Sequence, residues 1–136
     1  MPTFLPIIAV LSLLATSTPL LSPGELTPFL RVISASMGAP GRVACKDIDL
    51  SMQLKKDGLS PDAKAPMAFA VSPAQIKTYL ADGKLVVCGE EALLKEGASI
   101  AIFKEGGKSV MVVSLKNASA SGFTLSDTLL KIARAK

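Results

Sequence analysis

PMAFAVSPAQIKTYLADGKLVVC (residues 66–88) is the stretch that decides the fold. Its first part, 66–71, is an uninterrupted apolar run, which is typical of a strand buried on both faces. Ser72 can then cap a helix whose first position is Pro73, where a missing N–H costs nothing. A second buried strand is predicted at 84–88. A strand, a helix and a strand in this order predict parallel strands joined by a crossover helix.

The sequence on either side of residues 66–88 continues the alternation of helices and strands. Upstream, apolar spacing and Gly/Pro punctuation predict a helix at 25–37, a strand at 42–46 and a helix at 50–56. The helix at 25–37 has four residues on its apolar face, namely Leu26, Phe29, Leu30 and Ile33. A short helix is predicted at 90–95, after the second buried strand.

The pattern changes after Gly97. Two apolar runs, 99–104 and 109–115, flank a glycine pair, Gly106 and Gly107, which predicts a β-hairpin. A final helix is predicted from a capping residue, Ser126. Its inward side is formed by Leu129, Leu130 and Ala133, and its last turns hold cations that the helix dipole favours, Lys131, Arg134 and Lys136.

Together these elements predict an α/β fold. A length of 136 residues suits one domain. We expect a single αβα layered domain with a mostly parallel sheet, a C-terminal β-hairpin and a final helix.

The N-terminal stretch indicates export. Residues 4–15 form an apolar run that is too short for the roughly 20 residues of a membrane span but has the length of a signal-peptide core. Small residues at 15–17 suit signal peptidase, although residues 1–3 carry no Lys or Arg. We expect a signal peptide at 1–17, a linker at 18–25 and the domain at 26–136. An uncleaved membrane anchor and a buried element are the alternatives.

The charge of the chain does not indicate nucleic-acid binding. The net charge is +4, but the basic residues are scattered, and the chain has one Tyr and no Trp. A nucleic-acid binder usually gathers its cations into a stripe with aromatic residues between them. We read the charge as ordinary solvation, with a mild preference for acidic surfaces.

Cys45 and Cys88 are the chain's two cysteines. Export would permit a disulfide between them. However, the strand at 67–71 is expected to lie between their strands, which would place the two residues about 10 Å apart, while a disulfide needs Cα atoms within about 7 Å. Two free buried thiols are the alternative, so the pair is either a disulfide, a redox pair or simply part of the core.

Catalytic chemistry has few candidates, because the chain contains no histidine. That removes the usual general base, Ser-His and Cys-His pairs and most zinc sites. Asp47 and Asp49 follow a strand, where phosphotransfer domains place paired carboxylates that bind Mg²⁺. Capping of the helix at 50–56 is the simpler interpretation of both. We therefore expect no catalytic residue, no cofactor and no metal, and hence not an enzyme.

Residues 112–133 resemble the C-terminal signature of the YfiR-like periplasmic proteins. The positions that match fall in register without a gap: Gly122, Leu125, Ser126, Leu129, Leu130 and Ala133. The strand at 84–87, Gly97 and the glycine-pair hairpin also follow the family's order. Ser114 departs from the pattern, since the family usually has Asn there. Residues 26–66 match loosely, and the family's extra strand and aromatic-rich segment before the first helix are missing.

The resemblance implies a function. YfiR-like proteins are exported, non-enzymatic regulators, and the best-known kind binds the periplasmic sensor domain of an inner-membrane diguanylate cyclase and lowers cyclic-di-GMP output. We accordingly expect a periplasmic regulatory protein with a membrane-bound signalling partner and, by the family's habit, a homodimer. The alternatives are a cytoplasmic receiver-like or phosphotransfer domain that uses Asp47 and Asp49 with Mg²⁺, and an anchored envelope protein.

Overall fold

Seven strands form one sheet in the computed structural model, which describes residues 21–135. They are β1 (Arg42–Cys45), β2 (Ser60–Pro61), β3 (Met67–Ala70), β4 (Leu85–Cys88), β5 (Ile100–Glu105), β6 (Lys108–Val113) and β7 (Arg134–Ala135). Their order in the sheet is β2-β1-β3-β4-β5-β6-β7. Neighbouring strands are parallel except for the β5–β6 hairpin.

Each α-helix of the described part begins at a capping side chain, and a 3₁₀ helix begins without one. The helices are α1 (Pro23–Ser36), α2 (Ile48–Lys56), α3 (Pro73–Ala81), a 3₁₀ helix η1 (Glu91–Glu96), α4 (Leu115–Ala120) and α5 (Asp127–Ile132). The side chains that accept a hydrogen bond from the first turn are those of Ser22, Asp47, Ser72, Ser114 and Ser126. Each such cap satisfies a backbone N–H that the helix leaves without a partner.

Strict alternation along the strands divides the core into two faces. The α1 face carries mostly large side chains, which pack against α1, α2 and α5: Val43, Met67, Phe69, Leu85, Val87, Ile100, Ile102, Met111 and Val113. The α3 face packs against α3 and η1 and carries mostly smaller side chains: Ala44, Ala68, Ala70, Val86, Cys88, Ala101, Phe103 and Val112. Helices therefore cover the sheet on both faces, and the predicted αβα fold is confirmed.

The hairpin and most helix boundaries agree with the sequence prediction. Gly106 and Gly107 form the two-residue turn with φ of 60° and 80°, the left-handed conformation that glycine adopts most easily. Ser72 caps α3, and its hydroxyl accepts from the Gln75 N–H at 3.2 Å. Along α1, Leu26 is 6% exposed and Leu30 and Ile33 are fully buried, while Phe29 is half-buried.

Three sequence predictions are wrong at strand and helix ends. Leu115 was expected to end a strand, but it begins α4 and is 45% exposed, because Ser114 caps a helix there. Arg134 was expected in the last turn of the final helix. That helix ends at Ile132, and Arg134 belongs to β7 and pairs with Glu105 at 3.1 Å. Val71 was expected to lie in a buried strand but is 52% exposed, just after β3 ends.

The N-terminal boundary falls earlier than the sequence indicated. Helix α1 begins at Pro23, inside the segment 18–25 expected to be a linker, and Leu21 is 6% exposed in the core of the α1 face. The expected signal peptide at 1–17 and the last cation, Lys136, lie outside the described residues. No helix within residues 21–135 is long and apolar enough to cross a membrane.

Candidate functional site

Parallel strands end together at one edge of the sheet, and a pocket lies there on the α1 face. β1 connects through α2 to β2 on one side, whereas β3 connects through α3 to β4 on the other side. The two crossovers diverge between β1 and β3. In open α/β sheets this divergence creates a crevice at the carboxyl ends of the strands, where ligands commonly bind.

The pocket has a volume of about 160 Å³ and a largely apolar lining. Its lining residues come from the start of α1, from the ends of β1, β3 and β4, from β5 and from η1: Leu21, Pro23, Leu26, Asp47, Phe69, Val71, Gly89, Glu90, Leu93 and Ile102. Because the ends of several strands build it, the backbone of the sheet fixes its shape.

Two carboxylates lie among these apolar residues. Oδ2 of Asp47 accepts a hydrogen bond from the Leu50 N–H at 3.2 Å, which anchors the side chain at the start of α2. Glu90 is half-buried and precedes η1, and its side chain makes no capping hydrogen bond there. Neither carboxylate takes part in the ion pairs found within residues 21–135.

Nearby cations have other partners. Lys104 pairs with Glu25 at 3.0 Å. A hydrogen bond from the Ser22 backbone, together with Lys104, lowers the pKa of Glu25. Lys46 follows β1, and its Nζ lies 6.0 Å from the centroid of the Tyr79 ring, which belongs to the α3 face. The charge presented by the pocket residues themselves is therefore negative, although the whole chain carries +4.

Two exposed apolar side chains follow the pocket residue Asp47 along α2. Ile48 is 73% exposed and Met52 65%, and their spacing of four places them on the same face of α2. Val71, itself a pocket residue, is 52% exposed. We call the pocket together with Ile48 and Met52 the carboxyl-edge surface.

Sequence reasoning missed this surface, although one signal for it was present. The inward residues of α2 are Leu50 and Leu54, so apolar residues at 48 and 52 have to lie on its outer side. The pocket itself joins residues between Leu21 and Ile102 and becomes visible only once the strand order is known.

Asp47 and Asp49, which the alternative phosphotransfer hypothesis would use as a pair, have different roles in the structure. Asp47 caps α2, as the simpler interpretation held, whereas Asp49 is exposed in the first turn of the helix. β3 ends in Ala70 and is followed by Val71, so that strand end brings no third carboxylate to the crevice. No group of three His, Cys, Asp or Glu side chains within residues 21–135 could hold a metal ion.

The cysteines end up on opposite faces of the sheet. Cys45 is in register with Phe69 of β3, whereas Cys88 is in register with Ala70, and these two residues point to opposite sides. Both thiols are free in the structure. Burial raises the pKa of Cys88 to about 11 and also raises that of Cys45, whose Sγ lies 3.1 Å from the Ser51 hydroxyl.

The residues of the C-terminal signature have structural roles. Gly97 follows η1 with φ of 113°, and Gly122 follows α4 with φ of 84°. Ser126 caps α5, and its hydroxyl accepts from the Leu129 N–H at 3.2 Å. The apolar members pack on or against the α1 face: Leu125, Leu129, Leu130 and Ala133. The residues of the signature therefore shape the turns, cap the last helix and pack it on the core.

Ser114, the position that departs from the signature, still makes a hydrogen bond. Its hydroxyl accepts from the Asn117 N–H at 3.2 Å and so begins α4. The Asn117 side chain donates to the carbonyl oxygens of Leu94 and Ala98, both at 2.8 Å. This amide fastens α4 to η1, a role that the sequence did not predict.

The fold and this surface define a class, the layered α/β domains that present a crevice at the carboxyl ends of parallel strands. Within that class, the C-terminal half of the chain is similar to the YfiR/HmsC-like family, whose model matches residues 68–134. This confirms the resemblance seen in the sequence.

A solved structure agrees with the fold. The crystal structure of a conserved domain protein from Vibrio cholerae is similar, with a TM-score of 0.58 and 12% sequence identity. The likeness covers 85% of this chain and 60% of that protein, so the chain corresponds to part of the longer structure. A search of the curated proteins finds no match.

Proposed function

We propose that this protein is a non-enzymatic regulator of the bacterial periplasm. In this proposal it binds the periplasmic sensor domain of an inner-membrane diguanylate cyclase and restrains the cyclase. The observation that carries the proposal is the YfiR/HmsC-like match over residues 68–134, since that family implies cyclic-di-GMP regulation. Export by the N-terminal segment and homodimerisation belong to the same proposal.

Physical reasoning gives the proposed mechanism its form. A domain that acts without catalysis can change a partner only by binding one of the partner's states more tightly than another. To shift the cyclase from mostly active to mostly inactive, the difference in affinity would have to be large, about 10⁴-fold for a change from 1:99 to 99:1. A rigid surface suits this task, and strand ends hold the carboxyl-edge surface in place.

A chromosomal deletion tests the regulatory role. We expect cyclic-di-GMP to rise in the deletion strain and to fall when the full chain is restored. A matched control expresses residues 18–136 without the N-terminal segment, which should be retained in the cytoplasm and fail to complement. An unchanged cyclic-di-GMP level in the deletion strain would refute the regulatory role.

Fractionation of the same strains tests the location. We expect osmotic shock to release the protein, and mass spectrometry to find a mature N-terminus near Thr18. Retention of Met1 in the cytoplasmic fraction would support the receiver-like alternative, and retention in the membrane fraction would support an anchored protein. Light scattering of the released protein measures whether it is a dimer.

A further inference from the structure

We propose that the carboxyl-edge surface is the docking site for a protein partner, and that it receives an apolar side chain flanked by Lys or Arg. The inference deepens the proposed function, because it names the face by which the regulator would hold its partner and the chemistry of the segment held.

The size of the pocket sets what can enter it. At about 160 Å³, it compares with an engineered apolar cavity of about 150 Å³ that takes up benzene. The room therefore suits one aromatic or branched aliphatic side chain. Leu26, Phe69 and Ile102 are buried lining residues that come from α1, β3 and β5, so the walls are built on rigid elements.

The apolar residues outside the pocket favour a protein over a small molecule. A ligand that filled the pocket alone would leave Ile48 and Met52 in water, where they are 73% and 65% exposed. Exposed apolar side chains that lie together on one face of a helix are typical of protein-binding surfaces. A partner chain could cover both residues while one of its side chains enters the pocket.

The charges indicate the flanking residues of that partner. Asp47 and Glu90 line the pocket, and Asp49 is exposed in the first turn of α2. The neighbouring cations are engaged elsewhere, since Lys104 pairs with Glu25 and Lys46 lies over a ring of the opposite face. Complementary charge at the rim of an interface selects partners and speeds association, so a basic flank fits this rim.

The same charges argue against a second copy of this chain as the occupant. In a two-fold symmetric dimer, identical patches face each other. Asp47 and Glu90 of one copy would then approach those of the other, and like charges brought together in an interface are unfavourable.

Titration of the full mature chain with two peptides tests the inference. The probes are acetyl-GKFKG-amide and its acidic counterpart acetyl-GEFEG-amide, followed by NMR of the backbone amides. We expect saturable shifts at Ile48, Val71 and Gly89 with the basic peptide, and binding of the acidic peptide that is about tenfold weaker.

Matched variants separate charge from shape. Asp47→Asn combined with Glu90→Gln should abolish the preference for the basic peptide, and Asn still caps α2 as well as Asp does. Ile48→Ala combined with Met52→Ala should weaken both peptides. Leu115→Ala, which removes an exposed apolar side chain near the opposite edge of the sheet, should change neither.

Equal binding of the two peptides, shifts away from this edge or no binding would overturn the inference. Shifts at this edge when the protein alone is concentrated would also overturn it, because they would assign the surface to a second copy.

A membrane pull-down keeps this test distinct from that of the proposed function. If the wild-type chain captures a diguanylate cyclase and the Ile48→Ala, Met52→Ala variant captures it equally well, the function stands and the docking site is wrong. If the wild type captures no cyclase, the proposed function is wrong, and the peptide titration still decides whether this edge binds a basic segment.

Discussion

Cys45 and Cys88 lie on opposite faces of the sheet, with Phe69 and Ala70 of β3 between their strands. A disulfide needs Cα atoms within about 7 Å and side chains that point toward each other. Two residues on opposite faces of a sheet, with a strand between them, meet neither condition.

We therefore expect the protein to keep two free thiols even under oxidising conditions. Burial raises the pKa of Cys88 to about 11, so its thiol stays protonated at neutral pH and should resist iodoacetamide until the protein unfolds. The raised pKa also means that folding favours the protonated thiol, a contribution present below pH 9 and lost as the pH rises toward 11. Mass spectrometry after labelling checks this, with Cys45→Ser as the matched variant, and an intramolecular disulfide in the native protein would contradict it.

Gly97 combines a left-handed backbone with a crowded environment. Its φ is 113°, and a Cβ at this position would lie 2.7 Å from Cδ1 of Leu80. We expect Gly97→Ala to lower the free energy of unfolding by about 1–3 kcal/mol. Gly106→Ala is the control, because its φ is also positive but a Cβ there would meet nothing within 4 Å.

The double variant Gly97→Ala, Leu80→Ala separates the cost of the left-handed backbone from the cost of crowding against Leu80. Removing the Leu80 side chain should relieve the steric part, so the effects of the two substitutions should not add in urea unfolding. If Gly97→Ala lowers the free energy of unfolding no more than Gly106→Ala does, the crowding is unimportant, and the backbone conformation alone explains why position 97 needs glycine.

Much of this fold could be predicted from local sequence, because patterns within one element carry it. The caps at Ser72 and Ser126 and the Gly106-Gly107 turn depend on neighbouring residues alone, and the structure bears them out. Tertiary contacts decide the rest. Residues 60–61 form a strand only because β1 lies beside them, and Arg134 leaves its predicted helix to pair with the edge of β6.

The candidate site was beyond local reasoning for a similar reason. Its pocket joins Leu21, Phe69 and Ile102, which are far apart in sequence and meet only because of the strand order. Val71 illustrates the difficulty, since an apolar run does not show where a strand leaves the sheet and its last residue becomes exposed.

Asp57 links the first two helices through a hydrogen-bonded carboxylate. Its Oδ2 accepts from the Thr27 hydroxyl at 2.6 Å and from the Gln53 amide at 3.1 Å, and these bonds, the one from Thr27 first, lower its pKa below 3.8. A lowered pKa in the folded state stabilises the protein above pH 3.8, and that contribution is lost as the pH falls through the folded value.

We therefore expect Asp57→Asn to destabilise the protein at neutral pH and to flatten the acid limb of its stability curve. Urea unfolding between pH 2 and pH 7 measures this. Thr27→Val, which keeps the carboxylate but removes its first donor, should bring the folded-state pKa closer to the unfolded value and so flatten the acid limb in part. A wild-type and an Asp57→Asn protein with parallel acid limbs would show that this carboxylate titrates alike in the folded and unfolded states.

The hydroxyl groups of Ser99 and Ser114 differ in whether they make a hydrogen bond. The Ser99 hydroxyl is fully buried and has no hydrogen-bond partner among the residues described, whereas the Ser114 hydroxyl caps α4. A buried hydroxyl without a partner carries a desolvation cost of about 1–3 kcal/mol.

We expect Ser99→Ala to leave the free energy of unfolding unchanged or to raise it by about 1 kcal/mol, because alanine removes the oxygen and leaves only a small void. Ser114→Ala should lower it by about 1 kcal/mol through loss of the cap. Urea unfolding of the two variants side by side checks this, and a Ser99→Ala protein that is as destabilised as Ser114→Ala would mean that the Ser99 hydroxyl has a partner, such as a buried water molecule, that stabilises the fold.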